Sequence, residues 1–168
     1  MAIGRITLVQ MAGELESRIQ DDTRMQTSSM PDYYQRFRTV TVYENMGYQL
    51  QVQLACNQRV GRDSTEQSCD LAQDINAWID FNNNEYDDGE SRILLRTNVN
   101  GRTVGNMYDL EIFIPTVDER VTLSGPHRLR LTVTPSDEYK RNCGNNDYKE
   151  TRDYTVIIAS RRRPGKIV

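Results

Sequence analysis

The 168-residue sequence predicts an all-β protein, an antiparallel β-sandwich of about eight strands. Several segments alternate apolar and polar residues, which is the period of a strand with one buried face. Turn-forming Gly, Pro, Asn and Asp residues separate these segments, and no segment has a convincing helical pattern. A jelly-roll or Ig-like strand order is expected.

The N-terminal part combines one strand with an ambiguous segment. A strand is expected at 3–9 and a loop at 21–31. Between them Met11, Leu15 and Ile19 recur every four residues, which suits one face of a helix. No good N-cap precedes them, so a loop with a single helical turn is favoured over a complete helix.

The remaining strands follow from clean alternation. Segments 37–43 and 48–54 flank a polar turn at 44–47, which predicts a hairpin. Residues 57–73 are expected to form a loop, and 116–126 is a loop that could include a short strand at 121–123. Further strands are predicted at 74–81, 91–97, 107–115, 127–134 and 153–159.

The same alternation predicts the core. The inward positions are Leu50, Val52, Leu54, Ile79, Leu110, Ile112, Leu129, Leu131, Val156 and Ile158.

Length and charge bound the domain organisation and the partners. We expect one domain at 1–160 and a basic tail at 161–168, because the chain is short for two cores. The 21 basic and 24 acidic residues give a net charge of −3, which provides no electrostatic basis for binding nucleic acid or an anionic membrane. No apolar run approaches the roughly 18 residues of a membrane span.

Oxygen-bearing side chains are concentrated just after one predicted strand. Asp80, Asn82 and Asn84 occupy alternate positions, and Asp88 and Glu90 follow. Calcium binds six to eight oxygens, and alternate positions of a tight loop can direct several of them inward. The alternative is that these side chains form Asx-turns and bind only the loop itself.

The run from Trp78 to Glu90 resembles the WIDFN-x-DG-x-F-x-D-x-GE signature of GEVED domains, with Asn84 and Glu85 replacing its Asp and Gly. Residues 149–156, KETRDYTV, occupy the place of the family's GEVEDYTV motif, with Arg152 replacing a Glu. The resemblance implies a β-sandwich module of secreted and cell-surface proteins. It also implies that Asp153 could approach the cation from the second motif.

Three cysteines raise the question of disulfides. Cys56 and Cys69 bracket one loop and are the expected pair, because polar, loop-rich extracellular domains commonly carry disulfides. The resemblance provides a competing pair, Cys56 with Cys143, since family members often have a Cys before the second motif. An odd number leaves one thiol free or bound to another chain.

The expected function is non-enzymatic: a structural or adhesion module at the cell surface or outside the cell. A carbohydrate-binding module, with exposed Tyr and Trp side chains stacking on sugar, is the alternative. A hydrolase on the same scaffold is less favoured, because His127 has no identifiable triad partners and is expected to be a surface or edge residue. Trp78 is expected to be a packing residue.

The basic tail suggests assembly. Arg161, Arg162 and Arg163 are followed by an apolar end at Ile167 and Val168. Such a tail is ordinarily a frayed terminus. Alternatively it could dock on a neighbouring subunit by adding to a sheet edge, which would make the protein a homo-oligomer or the subunit of a filament.

Overall fold

The structure is a computed structural model that describes residues 4–23, 37–60, 63–67, 73–84, 107–118, 120–135 and 150–161. Within these residues there are nine β-strands and no α-helix, so the all-β prediction is confirmed. The strands are β1 Gly4–Ala12, β2 Glu14–Asp22, β3 Arg38–Tyr43, β4 Met46–Val60, β5 Asp63–Gln67, β6 Gln73–Ile79, β7 Met107–Ile114, β8 Gly125–Pro135 and β9 Glu150–Ala159.

The described strands form one curled sheet in the order β5-β4-β1-β2-β3-β9-β8-β6, with β7 paired to β4. The curl brings β1 into contact with β8, although three strands separate them in the sheet. Strands β3 and β9 are parallel, so the expectation of a purely antiparallel arrangement is wrong for this pair. The two-layer sandwich stays a prediction.

The core lies on the concave face of the curled sheet. All ten residues predicted for the core are buried, and none is more than 1% exposed. Strands β1 to β3 contribute further buried side chains, including Val9, Met11, Ile19, Val40 and Val42. Full burial of an aliphatic side chain contributes about 1.5–3 kcal/mol, so this continuous cluster is the main source of stability.

The segment at 11–20 is a β-hairpin, so both the helical and the loop interpretations are wrong. Met11 and Ile19 lie directly opposite each other on β1 and β2. Leu15 is at the tip of the hairpin and is 75% exposed. Leu15 and Glu16 have positive φ angles of 54° and 59°, which is the left-handed conformation that a tight turn uses.

The turn after β3 connects opposite sides of the core. The Asn45 N–H donates to the Ile114 carbonyl at 2.7 Å, and the Glu44 N–H donates to the Ala159 carbonyl at 3.2 Å. Strand β3 pairs with β2 and β9, whereas β4 pairs with β1, β5 and β7. The predicted turn is present, with φ of 57° at Asn45, but the predicted hairpin is wrong.

Two of the predicted loops begin later than expected, and the first of them, predicted at 21–31, is preceded by a strand that continues to Asp22. Within 57–73, β4 continues to Val60 and pairs with β5, so part of the expected loop is a hairpin. Residues 121–123 form no strand. The strand expected at 91–97 lies outside the described residues.

Trp78 is half-buried on the convex face of β6, as expected for a packing residue.

Candidate functional site

Three of the predicted cation ligands lie in one turn directly after β6, which we call the 80–84 turn. The Asn84 N–H donates to both Asp80 Oδ1 and Asn82 Oδ1, each at 3.1 Å. Asn83 has a φ of 57°, and Asp80 is only 6% exposed. The two side-chain oxygens therefore converge on one point, and the Asx-turn alternative describes their present contacts.

The His127 side chain connects the 80–84 turn to a second loop through its two ring nitrogens. Its Nδ1 lies 2.7 Å from the Asp80 carbonyl and its Nε2 lies 2.7 Å from the Leu123 carbonyl. His127 is 3% exposed, so the expectation of a surface or edge residue is wrong. The sequence contained the signal, because alternation along β8 places His127 on the same face as the buried Leu129 and Leu131.

A second loop, at 118–123, packs beside the 80–84 turn. The Asp118 carboxylate accepts the N–H groups of Val121, Arg120 and Thr122, which together hold the pKa of that carboxyl below its usual range. The Leu123 N–H then donates to the Phe81 carbonyl at 2.9 Å. His127 and this hydrogen bond thus fasten the two loops to each other.

The structure does not bring Asp153 into the 80–84 turn. Asp153 lies on β9, and its two carboxylate oxygens accept hydrogen bonds from Nε and Nη2 of Arg130, at 2.8 and 2.9 Å. This bidentate contact is the main cause that lowers the pKa of Asp153. Arg130 lies opposite Trp78 on β6, and Asp153 lies opposite Arg130. Asp153 is therefore in register with Trp78 and not with Asp80.

The calcium prediction remains a prediction. Asp88 and Glu90 lie outside the described residues. Among the residues described, no group of three or more His, Cys, Asp or Glu side chains could hold a metal ion. Of the predicted calcium ligands, the described residues provide the buried carboxylate of Asp80 and the amide oxygen of Asn82 beside it.

The strands and loops that make these contacts lie in a region of the chain that matches a known protein family. A family model for the GEVED domain matches residues 74–157, from β6 into β9, which is half of the chain. The chain belongs to the GEVED domain family. A comparison with curated proteins found no match.

Alternate residues of the second GEVED motif, Glu150, Arg152 and Tyr154, lie on the core-facing side of β9. Arg152 donates to the Asp21 carboxylate at 3.1 Å, to Glu150 at 2.9 Å and to the Ile6 carbonyl at 2.7 Å. The Tyr154 hydroxyl donates to the same Asp21 oxygen at 2.7 Å, and the Ile6 N–H donates to Glu150 at 2.8 Å. We call Asp21, Glu150, Arg152 and Tyr154 the motif network.

The surroundings of Arg152 and Tyr154 shift the pKa of both groups. Burial lowers the pKa of Arg152, but Asp21, Tyr154 and Glu150 together more than offset this, and the net pKa is raised. Burial, followed by the nearby Asp21 charge, raises the pKa of Tyr154 far above its usual range. Arg152 is therefore a permanent cation and Tyr154 a permanent hydroxyl donor at neutral pH.

Sequence reasoning missed the motif network because it placed Asp21 in a loop. One signal was available. Arg152 stands where the family has Glu, and it lies two residues before Tyr154 on the face of β9 that alternation directs inward. An inward-facing arginine requires a carboxylate partner, although its position 131 residues away could not be inferred.

The basic tail begins at a well-defined place. The Arg161 N–H and the Ser160 hydroxyl both donate to Glu44 Oε1, at 2.9 and 2.8 Å. The Val117 N–H donates to Glu44 Oε2 at 2.7 Å and is the main cause that lowers the pKa of Glu44. The Arg161 guanidinium lies 5.6 Å from the centre of the Tyr43 ring. Arg162, Arg163, Ile167 and Val168 lie outside the described residues.

The disulfide prediction cannot be compared with the described residues. Cys56 lies on β4 opposite Gln67 on β5, but its side chain is not described. Cys69 and Cys143 lie outside the described residues, so both pairings stay predictions.

No helix in the described part of the chain is long and apolar enough to cross a membrane.

Proposed function

We propose that this GEVED domain is a non-enzymatic structural or adhesion module of an extracellular or cell-surface assembly. The observation that supports it best is that two polar side chains next to or within the motifs, His127 beside the 80–84 turn and Arg152 on β9, bind the chain itself. His127 contacts main-chain carbonyls through both ring nitrogens, whereas a general base needs a nitrogen within reach of substrate. Arg152 is likewise engaged by Asp21 and Glu150.

The proposed mode of assembly is tail docking between copies. Glu44 accepts the Arg161 N–H, which fixes the backbone of this last described residue. The residues that follow include Arg162, Arg163 and Lys166, and then Ile167 and Val168. Strand addition to the next copy is a heterologous contact, and repetition of such a contact gives an open filament unless the rotation closes a ring.

The proposal includes a calcium ion at the 80–84 turn. Asp80, Asn82 and Asn84 would supply oxygens together with Asp88 and Glu90 from the following residues. Asp153 could join only by leaving Arg130. The ion would stabilise a turn that His127 already connects to the 118–123 loop.

The two-layer sandwich is the form of the fold that we propose. It is supported by the contact between β1 and β8 and by the single cluster of buried side chains that both halves of the curled sheet share.

The test of the function is the state of the purified full-length protein. Multi-angle light scattering and electron microscopy, in calcium and in chelator, should detect species larger than one chain whose size increases with protein concentration. A strictly monomeric protein at all concentrations, without affinity for cell-surface preparations, would leave no support for an assembly role.

A carbohydrate-binding function is the second candidate, and one row of side chains favours it. Trp78, Arg130 and Asp153 lie next to one another across β6, β8 and β9 on the convex face. A groove of about 220 Å³ adjoins this row and is lined partly by Arg128 and Thr155. Half-buried aromatic rings beside charged hydrogen-bonding groups suit stacking on a sugar. Binding on a glycan array that is lost in Trp78→Ala would support this candidate.

A further inference from the structure

Two adjacent rows of side chains cross the convex face of the sheet. Each member of the rows has a neighbour along its strand that is buried in the core, so alternation directs the rows outward. One row joins β9, β8 and β6, and the next joins β2, β3, β9 and β8. The members of the two rows, which we call the convex strip, are Asp153, Arg130 and Trp78 in the first row and Arg18, Thr39, Thr155 and Arg128 in the second.

An aromatic ring lies at each end of the convex strip. Trp78 is half-buried on β6. At the other end, the Arg18 guanidinium lies 4.6 Å from the centre of the half-buried Phe37 ring, directly before β3. Three strand spacings separate β3 from β6, which is about 14 Å. Aromatic faces can stack on sugars, and this separation suits an oligosaccharide better than a single sugar ring.

The charged groups of the convex strip are accessible. Arg18 and Arg128 are exposed, and the side chains of Arg130 and Asp153 are 30% and 40% exposed. The groove of about 220 Å³ lies over β8 and β9 and is lined partly by Arg128, Asp153 and Thr155. A ligand in this groove would meet a guanidinium, a carboxylate and a hydroxyl group.

The balance of charge in the convex strip favours an anion. Arg130 engages Asp153 through two hydrogen bonds, so these two opposite charges offset each other. Arg18 and Arg128 remain, and three arginines against one carboxylate give the strip a net charge of +2. Guanidinium groups bind carboxylates and similar oxyanions through paired N–H donors. The charge of the strip is therefore complementary to an acidic ligand.

We propose that the convex strip binds an extended acidic oligosaccharide. Arg18 and Arg128 bind its carboxylate or sulfate groups, and the two aromatic rings stack on sugars at either end. The Thr39 and Thr155 hydroxyls lie between the two arginines in the same row and hydrogen-bond to sugar hydroxyls. This inference rests on the carbohydrate-binding candidate and specifies the class of sugar. A single-stranded nucleic acid is disfavoured, because it binds along a positively charged groove and the whole chain has a net charge of −3.

The experiment compares three tetrasaccharide probes that share the galactose ring: one of galacturonic acid, one of sulfated galactose and one of unmodified galactose. Each is titrated onto the full-length protein by isothermal titration calorimetry. We expect the carboxylated or the sulfated probe to bind at least about tenfold more tightly than the neutral one. Added salt should weaken only the binding of the charged probes, and their relative affinities identify the preferred anionic group.

Substitutions then locate the site. Arg18→Gln and Arg128→Gln should each weaken binding of the charged probe by about fivefold or more and leave the affinity for the neutral probe unchanged. Arg5→Gln is the matched control, because Arg5 is an exposed arginine on β1, outside the convex strip. It should bind all three probes like the wild type. Urea unfolding of each variant checks that the domain is intact.

Four results would overturn the assignment, and they are distinguishable. If the three probes bind equally and Trp78→Ala abolishes binding, the strip binds carbohydrate and only the acidic class is wrong. If no probe binds and a wider glycan array is also negative, the carbohydrate-binding candidate fails as well. If Arg5→Gln weakens binding as much as Arg128→Gln, the attraction is diffuse and does not belong to the strip. If a single-stranded oligonucleotide binds more tightly than every sugar, the strip is a nucleic-acid surface.

Discussion

At the residue scale, two ion pairs that each include a residue of β9 have very different surroundings. The Arg152–Asp21 pair has side chains that are only 13% and 2% exposed. The Arg130–Asp153 pair has side chains that are 30% and 40% exposed. Removing one partner of a buried pair leaves an uncompensated charge, whereas an exposed pair is screened by water.

Arg152→Ala should therefore destabilise the domain by about 3 kcal/mol or more, because Asp21 and Glu150 lose their shared cation. Arg130→Ala, the control on the neighbouring strand, should cost less than about 1 kcal/mol. Urea unfolding at neutral pH measures both. Equal losses for the two variants would mean that the motif network is not a stabilising element.

The cation hypothesis also belongs to single residues. Calcium should raise the melting temperature relative to chelator, by about 5–10 °C at 100-fold excess over its dissociation constant. Asp80→Asn keeps an oxygen that can accept the Asn84 N–H but removes the negative charge, so the calcium effect should disappear while the chelated protein melts nearly as before. Differential scanning calorimetry measures both quantities.

Asp153→Asn is the control, since Arg130 engages this carboxylate away from the 80–84 turn. It should retain the calcium effect. If wild-type melting curves coincide in calcium and chelator, the turn is held by its own hydrogen bonds alone.

At the element scale, the β1–β2 hairpin depends on a glycine. A Cβ at Gly13 would overlap the Thr41 carbonyl and Val40 Cγ2, both of which belong to the packed strand β3. Gly13→Ala should destabilise the domain by about 1–3 kcal/mol, the usual cost of overpacking. In the control Gly47→Ala the new Cβ would meet the flexible end of Glu111 at 3.3 Å, so the free energy of unfolding should change little. Unfolding free energies that are equal for the two variants would contradict this packing.

The turn after β3 should be sensitive to acid through Glu44. Hydrogen bonds from Val117 and Ser160 hold its folded-state pKa below the ordinary value of 4.5. The stabilisation is therefore complete at neutral pH and is lost as the pH falls below this value and through the folded-state pKa. Glu44→Gln should be less stable than wild type at neutral pH, and the difference should shrink in acid.

Unfolding free energies between about pH 7 and pH 3 test this dependence. Glu16→Gln provides the matched control, because Glu16 is an exposed carboxylate, and its curve should parallel that of the wild type. A constant difference between wild type and Glu44→Gln at every pH would contradict the role given to this carboxylate.

The elements that sequence predicted best are those with uninterrupted alternation, such as β4, β7 and β8. The β1–β2 hairpin was missed because Met11, Leu15 and Ile19 have helical spacing. In the structure Met11 and Ile19 are cross-strand partners placed symmetrically about Leu15 at the tip. A spacing of four residues on either side of a turn cannot be distinguished from a helical face by periodicity alone.

The candidate site was only partly predictable for a similar reason. Asp80, Asn82 and Asn84 are neighbours in sequence, and the structure places them in one turn as expected. The partners of the second motif come from Asp21 and Ile6, more than 130 residues away. Such contacts depend on which strands become neighbours in the sheet, and local patterns contain no information about that order.

At the scale of the whole molecule, both GEVED motifs strengthen one scaffold from opposite ends. The 80–84 turn and His127 fasten the end at which β6 finishes and β8 begins, whereas the motif network joins the start of β9 to β1 and β2. The tail starts beside Glu44 at the end of β9. A domain that holds the backbone of Arg161 in a defined place suits the proposed head-to-tail assembly through the residues that follow it.

The most direct test of this account is sedimentation velocity of the full chain and of a chain that ends at Arg161. The truncation retains the Arg161 N–H that Glu44 binds, so both proteins should be equally stable in urea. We expect the full chain to form larger species with rising concentration and the truncated chain to remain a folded monomer. Sedimentation profiles that agree at every concentration would contradict assembly through the tail.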